Sequence, residues 1–314
     1  MVLISSSNSR IKIETYRYKK KRMMNKMINI FRQFYNEFIY GAHLTALIGP
    51  SIIIIPIVFL DLPVNTIALL IAYLIPLIVY SYDYQKEIDK DAQTNSEKSK
   101  YLYKRKRVFP LIFSIYLFLT IILITTIFDI NFFIFLLIVL TGGILYTTIF
   151  KRLSKNIPAF KNIYTTAIWA YFGTFFVIFL YKIFPNSLLL VLFIFTYLKI
   201  LINNVFFDIK DISADKNEGL KTLPIILGKA NTIYLLSALN VIALLILLCS
   251  VYFEVVPFFG ISLSLFFFYT QYYLIKGLTV ENKMLLNYTY IISEAEFGLW
   301  PIVLIISKTF INYI

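Results

Sequence analysis

The chain is predicted to be an all-α, polytopic membrane protein, and three observations predict it. Apolar residues make up 59% of its 314 positions, well above an ordinary soluble domain. Apolar runs of roughly 20 residues, enough to cross a bilayer as a helix, recur from about residue 43 to 307. Basic residues gather in alternate connections between those runs, as in a multi-pass protein obeying the positive-inside rule.

Taken in order, residues 1–38 form a basic extension on the cytoplasmic side, and 39–314 form the transmembrane domain. The extension is polar at its start, without the early apolar core of a cleavable signal peptide. Its segment RMMNKMINIFRQFYNEF is amphipathic and suits a helix lying on the membrane surface. Nine spans are expected, at about 43–60, 63–82, 108–128, 131–150, 162–181, 187–207, 232–253, 256–275 and 286–307. Pro50 and Pro56 interrupt the first. His43, the single histidine, stands at its start and reads as a satisfied interfacial side chain, so a histidine-centred hydrolase is not expected.

Lysines and arginines outnumber acids by 30 to 17, and they cluster before the first span and after the second, fourth, sixth and eighth. The alternate connections offer Lys182, and Lys308 lies at the far end. The N-terminus and the even-numbered loops are therefore expected to be cytoplasmic. The net charge of +13 reads as this topology signal plus attraction to anionic lipid, with no support for nucleic-acid binding. Cys249 is alone, which excludes a disulfide framework or a cysteine-based zinc site.

The chemistry is expected in two acidic faces. Span two runs into YDYQKEIDKD, where Asp83, Glu87 and Asp91 recur every four residues. Span six runs into NVFFDIKDISADKNEGLKTLP, where Asn204, Asp208, Asp211 and Asp215 recur at four, three and four. Such spacing puts each set on one side of a helix. Carboxylates crowded in this way repel unless a cation lies between them. Mg²⁺ is commonly held by one or two carboxylates together with substrate phosphates. Two opposed acidic faces beside lipid thus suggest a phosphorylated lipid held through divalent metal. The competing reading is solvated charges paired with Lys86, Lys90, Lys210 and Lys216, each pair worth at most about 1 kcal/mol; the recurrence at equivalent helix ends speaks against it. That recurrence also fits a pseudo-symmetric bundle with both helix ends on one site.

The second motif makes a resemblance specific. DIKDISADKNEGLKTLPIILG resembles the DxxDxxxD segment and the Gly-x-x-Thr-Leu-Pro ending of the UbiA family of intramembrane prenyltransferases. Asp83, Glu87 and Asp91 stand at the three positions of that family's first motif, although Asn is frequent at the first and Asp usual at the second. Asp89 is an alternative ligand to Glu87. The loop YTTIFKRLSKNIPAFKN is similar to the family's basic connection, with Lys151, Arg152 and Lys161 in matching places. The resemblance covers roughly 40–310. The Arg-containing acceptor-side pattern common in quinone-forming members has no clear match in NEFIYGAHLTALIGP.

The resemblance implies a UbiA-like bundle with its active site on the cytoplasmic side, where Mg²⁺ is bound by Asp83, Glu87, Asp91, Asp208, Asp211 and Asp215. Lys151, Arg152 and Lys161 are then expected to stabilise the departing diphosphate. Asn204, Tyr146 and Tyr197, with Tyr82 beside them, are expected to line the substrate site. The partners implied are a prenyl diphosphate, a hydrophobic or aromatic acceptor and membrane lipid. A quinone-precursor ring is the leading acceptor, with a glycerophosphate lipid or tetrapyrrole behind it. Cyclisation without an acceptor, or ion-coupled transport, are the alternatives. Lys199, in span six, is offset by about 140° from Asn204 and so does not share its face. Like Glu294 and Glu296 in span nine, it is a functional candidate by virtue of being ionisable inside the membrane. Gly219 and Pro224 are expected to shape the turn after the second motif, and Thr222 to bring a hydroxyl near phosphate.

Overall fold

The computed structural model describes the backbone over residues 3–127 and 129–313, and side chains from Lys20 onward except at 128, 282, 283, 312 and 314. Helices and their connections account for all the described secondary structure, with no strand among the described residues. Helix α1 (Leu3–Tyr40) precedes α2 (His43–Phe59), α3 (Thr66–Lys86), α4 (Ile88–Thr94) and α5 (Ser96–Arg105). Then come α6 (Phe109–Thr126), α7 (Ile130–Thr148), α8 (Phe160–Tyr181), α9 (Ser187–Asp208) and α10 (Ile212–Asn217). The chain closes with α11 (Leu223–Tyr252), α12 (Leu265–Thr279), α13 (Asn282–Asn287) and α14 (Ser293–Tyr313).

Eight helical segments among the described residues are long and apolar enough to span a membrane, or nine when α2 is joined to the end of α1 across a 56° bend. This is a multi-pass integral membrane protein. The expected first span is the one that falls short alone, because α2 has only 17 residues. The bend is made at Gly41 and Ala42, where Ala42 adopts a left-handed backbone (φ 69°). Helix α1 covers the basic extension and continues to Tyr40, which packs edge-on against Tyr290. Along its described part, Met23, Met24, Met27, Ile28, Ile30, Phe31 and Phe34 are all exposed. At 100° per residue they fall on one face, with Lys21, Arg22, Lys26 and Arg32 on the other.

Helices α2, α3, α8, α9 and α14 make the centre, with α2 against α3, α8 and α14, and α8 against α9. Phe132, Phe135, Phe172, Phe176, Phe297 and Trp300 fill the space between them. The closest approach is at Gly49, where a Cβ would sit 2.1 Å from the Ala72 carbonyl oxygen, so no larger residue fits at that crossing. Helix α6 is the least buried span: only Thr120 is buried, its exposed surface is mostly apolar, and Thr125 and Thr126 turn their hydroxyls back onto the helix's own carbonyls, as suits a lipid-facing helix.

At the end of the bundle where α3 and α9 finish, short helices fold over. The α7–α8 connection is zipped to the segment before α11 by two backbone hydrogen bonds. Lys221 N–H donates to Ser154 O (2.8 Å), and Ala159 N–H donates to Lys221 O (2.8 Å). Gly219 (φ 74°) makes the turn that allows it. Gly228 (φ 74°, ψ 164°) then breaks α11, separating a single turn at the site from the span itself. Positive φ at both positions is why glycine stands there.

Candidate active site

A cavity of about 160 Å³ opens among the ends of α3, α8, α9 and α14. Its polar wall holds Asp83, Glu87, Asp91, Asp208 and Asp211, with Lys98, Lys161 and Lys210 among them. Its deeper wall is apolar and aromatic, including Ile48, Val79, Tyr80, Trp169, Phe172 and Phe297. The two acidic motifs, more than a hundred residues apart in the chain, thus meet across one space.

Local geometry explains how each motif turns inward. Helix α3 ends at Lys86, and Glu87 is shared between its end and the start of α4. The first face is therefore split over two helices. Asp83 and Glu87 reach the cavity from the end of α3, Asp91 reaches it from α4, and Asp89 is exposed on the outer side. That separates Glu87 from Asp89, the alternative left open by spacing. The second face is also bent: α9 stops at Asp208, a 3-10 turn carries Asp211, and α10 carries Asp215.

Lysines knit the two faces together. Lys90 from α4 reaches Asp215 of α10 at 2.6 Å. Lys161 reaches Asp208 at 2.5 Å and lies 4.0 Å from Asp215. Lys98 meets Asp91 at 2.9 Å, its ammonium 3.5 Å above the Tyr84 ring. Lys151 spans Glu87 (2.6 Å) and Glu218 (2.9 Å), and Lys210 pairs with Asp211 over the Phe207 ring. Asn162 donates to Asp208 at 2.8 Å, and Thr147 to Asp83 at 2.7 Å. Burial works against ionisation of Glu87, but Lys90, Lys151 and Lys161 overcome it and hold the carboxyl down to about 2. The carboxylates push the other way on their partners: against burial, Lys90, Lys98 and Lys151 are all held above the ordinary lysine range.

Not every expected residue comes to the cavity. Asp215 is fully buried behind Lys90 and does not line it. Lys151 touches the site through Glu87, and Arg152 is exposed on the 3-10 turn after α7. Tyr146 lines the cavity, its buried hydroxyl without a hydrogen-bond partner, whereas Tyr197 packs beside Phe193 away from it. Tyr82 lies against Phe113. Asn204 lines the cavity and donates its amide to Thr166 (3.1 Å). Thr222 is buried. His43 is satisfied by Tyr73 (2.5 Å) and Glu37 (3.3 Å), as expected of an interfacial side chain.

Spacing did not single out Lys98, Asn162, Thr45 or Thr147, whereas Lys90 and Lys210, named as charge partners of the acidic faces, do pair with Asp215 and Asp211. A loop lysine such as Lys98 looks solvated in the sequence, and only the fold of α4 against α5 buries it. Glu294, noted for its place in a span, lines the cavity and accepts from the Thr45 hydroxyl at 2.8 Å.

The donor set suits a hard divalent cation. Six carboxyl groups face the cavity against three ammonium groups, and the buried Asp211 Oδ1 has no hydrogen-bond partner. Among the described residues, no group of three or more His, Cys, Asp or Glu side chains is placed to hold a metal ion unaided, so the remaining ligands would have to come from water and phosphate. An oxygen-rich site that leaves room for water and phosphate is what Mg²⁺ prefers.

Residues 184–264, which include the second acidic motif, match a family model described as VviA prenyltransferase. A search of curated proteins finds no match. Among solved structures, a UbiA homologue from Archaeoglobus fulgidus bound to DMAPP and Mg²⁺ aligns over 86% of this chain and 99% of its own. That alignment has a TM-score of 0.59 at 15% identity. A digeranylgeranylglyceryl phosphate synthase aligns over 88% of this chain and 98% of its own, with a TM-score of 0.54 at 17% identity. An apo UbiA homologue from Aeropyrum pernix K1 covers 86% and 98%, with a TM-score of 0.57 at 10% identity. The expected fold is the fold found.

Proposed function

We propose that this UbiA-fold prenyltransferase moves an isoprenyl group from a prenyl diphosphate to an apolar acceptor, an aromatic ring of the quinone-precursor class. The observation that carries the reading is the meeting of two acidic motifs, with lysines between them, at the mouth of an aromatic cavity. It is supported by the A. fulgidus homologue's binding of DMAPP and Mg²⁺ in the same fold.

Asp83, Glu87 and Asp91 from one face, and Asp208 and Asp211 from the other, would hold Mg²⁺, with Asp215 fixing Lys90 and Lys161 behind them. Bound there, Mg²⁺ supplies charge neutralisation to the leaving diphosphate. Lys161 and Lys98 face the same space and would donate to the diphosphate oxygens, stabilising their growing negative charge as the allylic carbon–oxygen bond breaks. Lys151 holds Glu87 in place, and exposed Arg152 adds positive potential at the entrance.

The developing carbocation is left against Tyr80, Trp169 and Phe172, whose π faces stabilise positive charge and whose bulk excludes water. The isoprenoid tail runs between apolar helices toward lipid. The new bond forms to the acceptor's electron-rich atom, which gives up a proton, so diphosphate and a proton are released. The excess of basic residues in the even-numbered loops supports a cytoplasmic site.

The test is turnover of radiolabelled geranylgeranyl diphosphate by purified protein in lipid, with Mg²⁺ and a panel of acceptors. Metal-dependent joined product and released diphosphate, both lost in Asp208→Ala, support the reading. Intact protein that binds no prenyl diphosphate and releases none from donors of any length defeats it.

A further inference from the structure

One of the six cavity carboxyl groups has no role assigned to it in the diphosphate chemistry. Glu294 is 5% exposed and lines the cavity at the start of α14, immediately after a single π-helical turn, Tyr288–Ile292. Such a turn in an α-helix is often kept for a local purpose. Here it immediately precedes the turn that carries Glu294.

Its surroundings differ from those of most of its neighbours. Glu87, Asp91, Asp208 and Asp211 each have a lysine partner, and Asp83, which has none, accepts from Thr147 one turn before Glu87. No ion pair is formed by Glu294 among the described residues, and its one protein hydrogen bond is from Thr45, to Oε2. Nor is Oε1 among the sealed, partnerless atoms, so it is open to the cavity. A carboxyl group in apolar surroundings with one free oxygen is costly unless a donor meets it. Tyr84, Ile48 and Phe297 line the same space, and every lysine in the cavity already has an acid.

Building on the prenyltransferase reading, we propose that Glu294, oriented by Thr45, is the acceptor-binding residue, and that it selects an uncharged acceptor bearing a hydroxyl group. The acceptor hydroxyl donates to Oε1 and sets the ring beside the allylic carbon. A ring carrying a carboxylate is disfavoured, because its charge would be stripped of water against Tyr84, Ile48 and Phe297 while the cavity lysines serve the diphosphate.

The probes are a naphthalenediol and the same ring with a carboxylate added. Trp169 lines the cavity, so quenching of its fluorescence reports acceptor binding without chemistry, against the Trp300 background. The wild type is expected to bind and prenylate the diol and to discriminate strongly against the carboxylate. Glu294→Gln should raise the Kd and KM for the diol by up to about 10-fold, the worth of one hydrogen bond, and narrow the discrimination. Thr45→Val should do the same less severely. Donor KM and Mg²⁺-dependent diphosphate binding should not change in either.

A wild type that takes the carboxylated ring as well as the diol overturns the proposal. So does a Glu294→Gln protein with unaltered acceptor binding, or one whose only defect is in donor KM. Absence of prenyl diphosphate binding in the wild type is a separate result: it defeats the prenyltransferase reading, while the fluorescence titration still decides whether Glu294 binds the diol.

Discussion

The lysine–carboxylate pairs at the cavity mouth and the one deep in the bundle differ in what they can reach. At the cavity mouth, Lys151 and Lys161 keep a fifth of their side-chain surface exposed, at 22% and 21%. Deeper, Lys199 of α9 pairs with Glu296 of α14 at 2.7 Å, with 2% and 1% exposed. Thr270 also joins that pair, donating to Glu296 at 2.9 Å, and Lys199 donates to Asn240 (3.3 Å) and the Phe266 carbonyl (3.2 Å). Beside it is space for a single water, about 10 Å³. The deep pair is closed and ties four helices together, α9, α11, α12 and α14, whereas the mouth pairs border a cavity where other ions can compete for the same charges. Access, not pairing, separates a structural charge from a chemical one.

The largest effect should come from breaking the closed pair. Lys199→Met leaves Glu296 without its cation and should cost about 3–5 kcal/mol of stability. Adding Glu296→Leu should return most of it, with thermal unfolding in detergent as the measure. Activity per folded molecule should hold; its collapse in the double variant would move this pair into the chemistry and dissolve the contrast.

At the mouth the pattern should invert. Asp211→Ala should reduce Mg²⁺-dependent diphosphate release by about 100- to 1,000-fold, since it removes an oxygen donor that has no hydrogen-bond partner in the protein, while unfolding shifts little. Lys161→Gln should follow at about 100-fold, chiefly in kcat, because its charge matters most as the diphosphate departs. An equal loss of stability in either variant would say that mouth and interior pairs serve the same purpose.

Glu87→Gln should give the smallest loss, about 10-fold. Because Glu87 is depressed to about 2, it stays ionised through the ordinary acid range. The stability it contributes is present above the ordinary Glu value near about 4.3 and is lost only as pH falls through about 2. Wild type and variant should therefore share one acid limb in a pH–rate profile above about pH 5. A limb that moves with the substitution would mean that Glu87 titrates in the working enzyme.

Much was legible in the chain alone. Long apolar runs dictate membrane helices, because a backbone in lipid must satisfy its own hydrogen bonds. Steps of three and four put Asp83 with Glu87, and Asp208 with Asp211, on common faces, and the structure brings all four to one cavity. These are local consequences of helix geometry, so spacing suffices to find them. Asp91 and Asp215 show where such reasoning weakens: each follows a helix break that spacing cannot anticipate, and Asp215 ends behind a lysine.

Partner choice was decided by the tertiary structure. Nothing near Lys98 announces that it will be buried against Asp91, and nothing near Glu294 that Thr45, 249 residues earlier, will orient it. The same holds for Lys199 and Glu296, which spacing leaves as two unexplained charges in separate spans. Periodicity along one helix determines which side chains share a face. Which face meets which is determined by the packing of helices far apart in the chain, and burial, charge pairing and access to the cavity all follow from that.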